Sequence, residues 1–427
     1  MTGPFTENVI SDQHFPDTTD VVVIGGGIVG ACTALELAER GLRVVVFDKA
    51  NLNEEQSSRN LGWVRLTNRD PAEIPLMIES IRLWSEMDRR INRTTGYVRS
   101  GIIFSDKDES VAARRQLWLK QLENTEFRVR ALTRAEMGAH FQGSTFPAVH
   151  SFLSPFDGRA EPQLAVPAIA AAARDRGAQI FTHCAVRHID TAAGQLRQVI
   201  TERGTVTTSA VVIAAGAWTN ALCAQLGIDF PQLEVIATAF RTSAIQDGPN
   251  TSFGTGEFAF RRRWDGGYTV GSFRTRAELV PNSFRYAWKF REALRTQQVD
   301  IRLGSRFFRE TRHLLRHSTD FLQRLSAGRT LDPSPWFDQQ QVLKEVAMAF
   351  PFLRKGRLEQ AWAGCIDVTP EQIPVISPIE RIPGLFVASG FSGHGFGLAP
   401  GAGRLMADLV EGRTPVVDPT AFRFSRY

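Results

Sequence analysis

Two runs of four apolar, mostly β-branched residues, at 21–24 and 44–47, flank a stretch in which Ala31, Ala34 and Ala38 recur at helical spacing before Gly41. Short apolar runs bounded by turn residues predict buried strands, and the small-residue face between them predicts a helix that stops at the glycine. The chain therefore opens as strand, helix, strand. Behind Asp70-Pro71, which reads as a helix cap with proline at the first helical position, Ile74, Met77, Ile81 and Trp84 form one apolar stripe. Residues 97–104 read as a strand and 109–124 as a largely exposed helix with a narrow face of Val111, Trp118 and Leu122. Thr133 and Glu136 make a capping box at the next helix start.

An alanine-rich helix is predicted over 160–176, with Gly177 as its stop, and strands over 179–190, 198–202 and 205–215. Beyond Pro231 the apolar positions of 233–242, 258–263 and 268–273 predict antiparallel strands, with Asp265-Gly266-Gly267 as a hairpin turn. A last apolar strand at 385–388 precedes a helix over about 399–411. The pattern is α/β in its first part and antiparallel in its middle, so the fold class is α/β with an added antiparallel-sheet unit, an α+β two-domain chain.

The junctions between these elements carry the chemistry. Gly25, Gly27 and Gly30 spell G-x-G-x-x-G at the first strand-to-helix turn, and Asp48 closes the second strand. Gly25 permits the sharp turn, Gly27 lets the backbone approach a pyrophosphate, and Gly30 lets the helix lie close on the sheet. The helix N-terminus then faces the phosphates with free N–H groups and a favourable dipole. Asp48 stands where an acid accepts hydrogen bonds from ribose hydroxyls. The motif in this context predicts dinucleotide binding. The next turn brings Ser57, Ser58 and Arg59 beside that site, where they either contact a diphosphate or face solvent.

Two further junctions repeat the theme. A strand ends in Ala214, Ala215, Gly216 and Ala217 before Trp218, permitting another close backbone approach to a ligand. The run from Ser389 to Gly397 contains Gly390, Gly393, Gly395 and Gly397 around His394 and leads into the last helix. A nicotinamide enzyme has no obvious need for this second glycine-rich helix start. A flavin ring becomes negative on reduction, and a helix N-terminus stabilises such a charge.

Composition narrows the alternatives. At 427 residues, 43% hydrophobic and 22% charged, the chain is an ordinary globular protein long enough for two domains. Its net charge of +5 suits an anionic cofactor and a carboxylate substrate, and no basic block interleaved with aromatics matches a nucleic-acid module. The four cysteines, Cys32, Cys184, Cys223 and Cys365, stand apart, with no zinc-type spacing, and read as free thiols of a reducing compartment. Residues 1–20 are polar and no apolar run reaches membrane-span length, so a cytoplasmic protein is expected. Residues 282–328 hold ten Arg or Lys against four acids. This segment is either a solvated helical face or a surface that rests on the inner face of an anionic membrane or docks an acceptor protein.

With the first βαβ unit, the AAGAW strand end and GFSGHGFGLAPGAG in view, the chain resembles the flavin-dependent D-amino-acid oxidase family, which includes sarcosine oxidases, glycine oxidase and bacterial amino-acid deaminases. EQSSRN, QIFTHCAVRHID, FRYAWKF, AWAGCIDVTPEQIPVIS and DPTAFRFSRY are most similar to the membrane-type bacterial L-amino-acid deaminases. The resemblance implies a Rossmann-like FAD-binding domain over 19–93, 155–230 and 356–427, and an antiparallel-sheet substrate domain over 94–154 and 231–355 that includes the basic insertion.

It further implies non-covalent FAD held by Gly25, Gly27, Gly30, Asp48, Ser57, Ser58, Arg59, the backbone of Val186, Ala215, Gly216, Gly393, His394 and Gly395. Covalent attachment is not expected, because the matching position is Gly364 and not Cys365. Trp362 is implied near the flavin ring, although a plain core tryptophan reads equally well. Arg261 and Arg274 are the candidates for holding a substrate carboxylate, or else surface charges on the hairpin. His394 either positions the flavin or is a satisfied loop histidine. The deaminases' N-terminal membrane helix has no counterpart here, which puts direct delivery of electrons to a membrane in question.

The activity implied is oxidation of the C–N bond of an amino acid by hydride transfer to flavin N5, giving an imine that hydrolyses to keto acid and ammonia, with oxygen or a quinone as acceptor. A secondary-amine substrate, such as an N-methyl amino acid or an opine, is the alternative, as is a flavoprotein subunit of a larger dehydrogenase.

Overall fold

Runs such as Val-Val-Val-Ile and Val-Val-Val-Phe have no polar face, so they are stable only with both sides covered. In the computed structural model, which describes residues 3–123, 125–296, 299–315 and 336–427, Thr18–Ile24 and Val44–Phe47 are parallel neighbours in an eight-stranded sheet. Thr205–Ile213 flanks the first strand, Leu385–Ser389 lies beyond it, and Gln179–Phe181 follows Val44–Phe47, all parallel. The carboxyl ends of these five strands therefore share one edge.

Alternation along each strand sends residues to opposite faces. Val21, Val23, Val44 and Val46 pack with helices Ile28–Glu39, Ile74–Ile91, Pro162–Asp175 and Gly395–Glu411. Val22, Ile24, Val45 and Phe47 form a second core with Val186, Ile189, Val199 and Leu222. The expected stripe holds, since Ile74, Met77, Ile81 and Trp84 are all buried against the last helix, and the Trp84 indole N–H donates to the Gly397 carbonyl at 3.0 Å.

The second sheet has nine strands. Leu233–Thr242 lies between Leu358–Val368 and Tyr268–Glu278, antiparallel to both. Phe258–Arg262 continues the sheet beyond Tyr268–Glu278 through the expected hairpin, followed by Ser252–Gly254, Ile102–Asp106, His150–Ser154 and Arg130–Leu132. A core of Phe141, Phe240, Phe253, Phe260 and Phe350 backs it. Leu358–Val368 is thus hydrogen-bonded in the second sheet, although the boundary at 356 read from the sequence assigns it to the cofactor-binding part.

Local differences have local causes. The strand read at 97–104 is Ile102–Asp106, because Gly96 and Gly101 take positive φ and keep the preceding residues out of the ladder. The strand read at 179–190 is two, Gln179–Phe181 and Val186–Ala192, broken at His183, which takes φ +50°. The last helix begins at Gly395, before the expected position, and includes Pro400. The basic segment contains Pro281–Arg285, Arg291–Thr296, Val299–Arg302 and Ser305–Leu315. Arg316 and Arg324, counted within it above, lie outside the described residues.

Candidate functional site

The shared strand edge opens on a cavity of about 360 Å³. The first glycine turn forms one wall. Gly25 has φ +110°, and a Cβ there would fall 2.3 Å from the Ala214 carbonyl oxygen; one on Gly30 would fall 1.9 Å from that of Gly25. Only glycine fits either place. Gly25 and Gly27 line the cavity, whereas Gly30 lies behind them and lets the helix close on the strand.

Gly27 is the N-cap of Ile28–Glu39, whose first turn holds no acidic residue, and the Ser57 hydroxyl accepts from the Ile28 N–H at 2.9 Å. A Cβ on Gly27 would meet Ser57 Oγ at 3.0 Å. The turn is a cradle with free helix amides at its floor, suited to phosphate.

Asp48 lines the cavity, but its carboxylate also braces the glycine turn: Oδ2 accepts from the Gly26 N–H at 2.6 Å and Oδ1 from the Ala50 N–H at 2.9 Å. Burial pushes its pKa up, against these two hydrogen bonds. Lys49 places its ammonium 3.2 Å from the centre of the Trp218 ring, and both line the same end of the cavity. Ser57, Arg59, Val186, Ala215, Gly216, Gly393 and Gly395 all line it as expected. Ser58 does not: it is buried, and its hydroxyl donates to the Glu55 carbonyl at 3.1 Å. Arg59 donates to the Ala363 carbonyl at 2.9 Å, joining this wall to the second sheet.

The second sheet supplies the facing wall, with Ala237, Ala239, Gly271 and Gly364 leaving open space between the strands and the helix starts. Gly395–Glu411 has no acid in its first turn either, so a second positive helix end meets the same cavity.

Besides Ser58, the structure sets Arg261 apart from both of its readings, as neither a cavity residue nor a surface charge, and gives Arg274, Trp362 and His394 the structural place that the sequence also allowed. Arg261 is wholly buried, with Nη1 and Nη2 on Glu161 Oε1 and Oε2 at 2.6 and 3.0 Å and Nε donating to the Leu61 carbonyl. Its charge is already matched, and it is absent from the described cavity lining. Arg274 is exposed, also outside that lining. Trp362 is 1% exposed, its indole N–H donates to the Arg59 carbonyl at 2.9 Å, and it reads as core. His394 lies between two lining glycines, but its Nδ1 turns to the Glu73 carboxylate at 3.2 Å.

The remaining wall was missed. Trp63, Arg65, Arg69, Phe396 and Gly397 close the cavity beyond the glycine loops. Arg69 is 3% exposed; its Nε donates to the Arg65 carbonyl at 3.1 Å, and Nη1 has no protein partner. Arg65 donates to the Thr67 carbonyl, and burial, then Arg69, lower its pKa to about 9.

Burial resists ionisation of Glu73, yet His394 and the two guanidiniums hold its pKa below the ordinary value. Burial and Arg69 push the His394 imidazole down to about 4, so it is neutral at physiological pH. The sequence signal for this wall was Trp63-x-Arg65-x-x-x-Arg69-Asp70-Pro71-x-Glu73, two arginines one helical turn apart just before a capped helix.

Residues 20–409 match the profile of the DAO family, described as FAD dependent oxidoreductase. The chain is 28% identical to the structure of L-amino acid deaminase from Proteus vulgaris, with a TM-score of 0.93 over 99% of this chain and 100% of that one. It is 25% identical over 415 residues to glycine oxidase of Pseudomonas aeruginosa, covering 94% of this chain and 97% of that protein. Against N-methyl-L-tryptophan oxidase of Salmonella heidelberg the identity is 26% over 425 residues, with 96% and 99% covered.

Proposed function

Because the chain belongs to the DAO family of FAD-dependent oxidoreductases, we propose that it oxidises the C–N bond of an amino acid, giving an imine that water converts to a keto acid and ammonia. The residues present fit the cofactor. Gly25, Gly27, Ser57 and the start of Ile28–Glu39 would hold the diphosphate, Asp48 and the Lys49–Trp218 pair the adenosine, and Gly393 and Gly395 the redox ring. Bound FAD supplies the two-electron acceptor.

The protein's own part is to bind and orient the substrate. Arg69, a buried cation that lines the cavity and whose Nη1 has no protein acceptor, is the observation that carries the reading: an unused donor beside the cavity calls for an anion, and a carboxylate matches its fork. Arg65 stands beside it as the second donor. Trp63 and Phe396 shield that end from water, which strengthens the ion pair. The neutral His394 holds Glu73 opposite Arg69 and does not supply charge. Formation of keto acid and ammonia by the purified protein with an artificial electron acceptor tests the proposal. The likeness to N-methyl-L-tryptophan oxidase favours a secondary amine as the second reading, and it would release an alkylamine in place of ammonia.

For the acceptor side, we propose that the insertion rests on an anionic lipid surface. Phe284, Trp288, Leu294, Ile301, Leu303 and Phe308 are exposed there, among exposed Arg285, Arg291, Arg295, Arg302 and Arg309. Apolar groups that enter the headgroup region, ringed by cations, support a peripheral membrane contact. No described helix is long and apolar enough to cross a membrane.

A further inference from the structure

Asp367 lies one residue before the end of the strand Leu358–Val368 of the second sheet, is 3% exposed, and lines the cavity. Its carboxylate reaches away from its own sheet. Oδ2 accepts from the Gly390 N–H at 2.9 Å and from Gln232 Nε2 at 2.9 Å, and the Gln56 side chain is a third hydrogen-bond partner.

Two of these donors belong to different cavity-lining segments, and the third, Gln232, bridges to one more. Gln56 starts the short helix Gln56–Arg59, which carries Ser57 and Arg59. Gly390 opens the glycine loop before the last helix. Gln232 reaches the turn after Thr205–Ile213, where its Nε2 donates to the Gly216 carbonyl at 3.0 Å and its Oε1 accepts from the Asn220 N–H at 3.0 Å. In the same shell the Thr219 hydroxyl donates to Ser389 Oγ at 2.7 Å.

A carboxylate only accepts, and with the Ser389 hydroxyl at 3.5 Å four donors converge on this one. An asparagine with its oxygen in the Oδ2 place accepts these bonds without the charge that strengthens them, and turns its N–H₂ toward the Gln56 side chain. Buried networks of this kind fix one arrangement when every member is satisfied and lose it when one is not.

We infer that Asp367 is a positioning residue that sets the spacing of the three loops clasping the cofactor, so that cofactor retention, and not substrate affinity, depends on it. The inference rests on the cavity being the FAD site. It gives the second sheet a task beyond walling the substrate space, since one of its strands holds the loops of the first sheet in register with one another.

The test compares wild-type holoenzyme with Asp367→Asn, Gln232→Leu and the double variant. FAD release after dilution is followed by the rise in free-flavin fluorescence, and KM for an amino-acid substrate is measured with added FAD. The inference expects Asp367→Asn to release FAD at least about tenfold faster, with KM within about twofold of wild type and the melting temperature of the FAD-stripped chain little changed.

The double variant should release FAD no faster than the worse single one, because both substitutions break one network. Release within about twofold of wild type would overturn the inference, as would additive effects or a loss matched by equal destabilisation of the stripped chain. Should Asp367→Asn not accumulate as folded protein, Gln232→Leu carries the same test by the same readouts. A wild-type chain that purifies colourless and binds no FAD on titration would overturn the reading beneath it.

Discussion

Arg261 and Glu161 form a two-pronged ion pair at 2.6 and 3.0 Å, with the side chains of both almost entirely inside the protein. Glu161 precedes the helix Pro162–Asp175, and Arg261 belongs to Phe258–Arg262, so the pair fastens the two halves of the fold together. Removing Arg261 takes away both prongs and leaves the buried Glu161 with only Arg159 at 3.6 Å and the Trp264 N–H at 2.8 Å. Arg261→Met is therefore expected to lower the unfolding free energy by about 3–5 kcal/mol, read by denaturant titration, while KM for carboxylate substrates in the surviving folded protein stays near wild type.

Arg69 predicts the opposite pattern. Arg69 lines the cavity and its Nη1 has no protein acceptor, so Arg69→Met removes a substrate contact and an unsatisfied buried donor together. Folding should hold, and KM for amino acids should rise by a factor corresponding to about 2 kcal/mol. An amine without a carboxylate, used as a control substrate, should lose little. Initial rates with an artificial acceptor measure both.

Burial of His394 beside Arg69 makes stability depend on pH in a defined direction. His394 is lowered from an ordinary 6.5 to about 4 in the folded protein, so between those values the unfolded chain binds the extra proton. Its contribution is complete above about pH 6.5 and is lost as pH falls toward 4, by up to about 3 kcal/mol. The lowered Glu73 acts in the same direction at the acid end. In His394→Asn the slope of unfolding free energy between pH 4 and 6.5 should flatten, which denaturant titrations at a series of pH values would reveal.

The insertion predicts lipid binding that depends on salt. Co-sedimentation with vesicles containing anionic lipid should be clear at low ionic strength, weaken as salt rises, and fall sharply in a Phe284→Ser, Trp288→Ser double variant. Trp288 is 75% exposed, so these changes should leave the melting temperature nearly unaltered.

The nucleotide half of the site was legible in the sequence because its physics is local. Gly25 and Gly393 take φ +110° and +82° within their own turns, and a Cβ on Gly30 or Gly395 would meet Gly25 or Phe391, a few residues before it. The substrate half was not. Arg261 and Arg274 stood on the expected hairpin, but whether an arginine is free depends on what faces it, and Glu161 lies a hundred residues from Arg261 in sequence.

Arg65 and Arg69 are drawn to the cavity by the turn that joins the first sheet to Ile74–Ile91, a placement that no periodicity records. Trp362, equally readable as core, and Ser58, readable as a diphosphate contact, are buried and donate to the Arg59 and Glu55 carbonyls.

The central claim is that this cavity binds FAD and presents to it the C–N bond of an amino acid whose carboxylate Arg69 holds. The most direct measurement is an anaerobic absorbance titration of the purified yellow protein with L-, D- and N-methyl amino acids, following the flavin band near ~450 nm that the cofactor itself sets. At least one class of amino acid should bleach the band in wild type, and a much higher concentration should be needed in Arg69→Met. Bleaching by amines regardless of a carboxylate, or a flavin that no amino acid reduces, would contradict the claim.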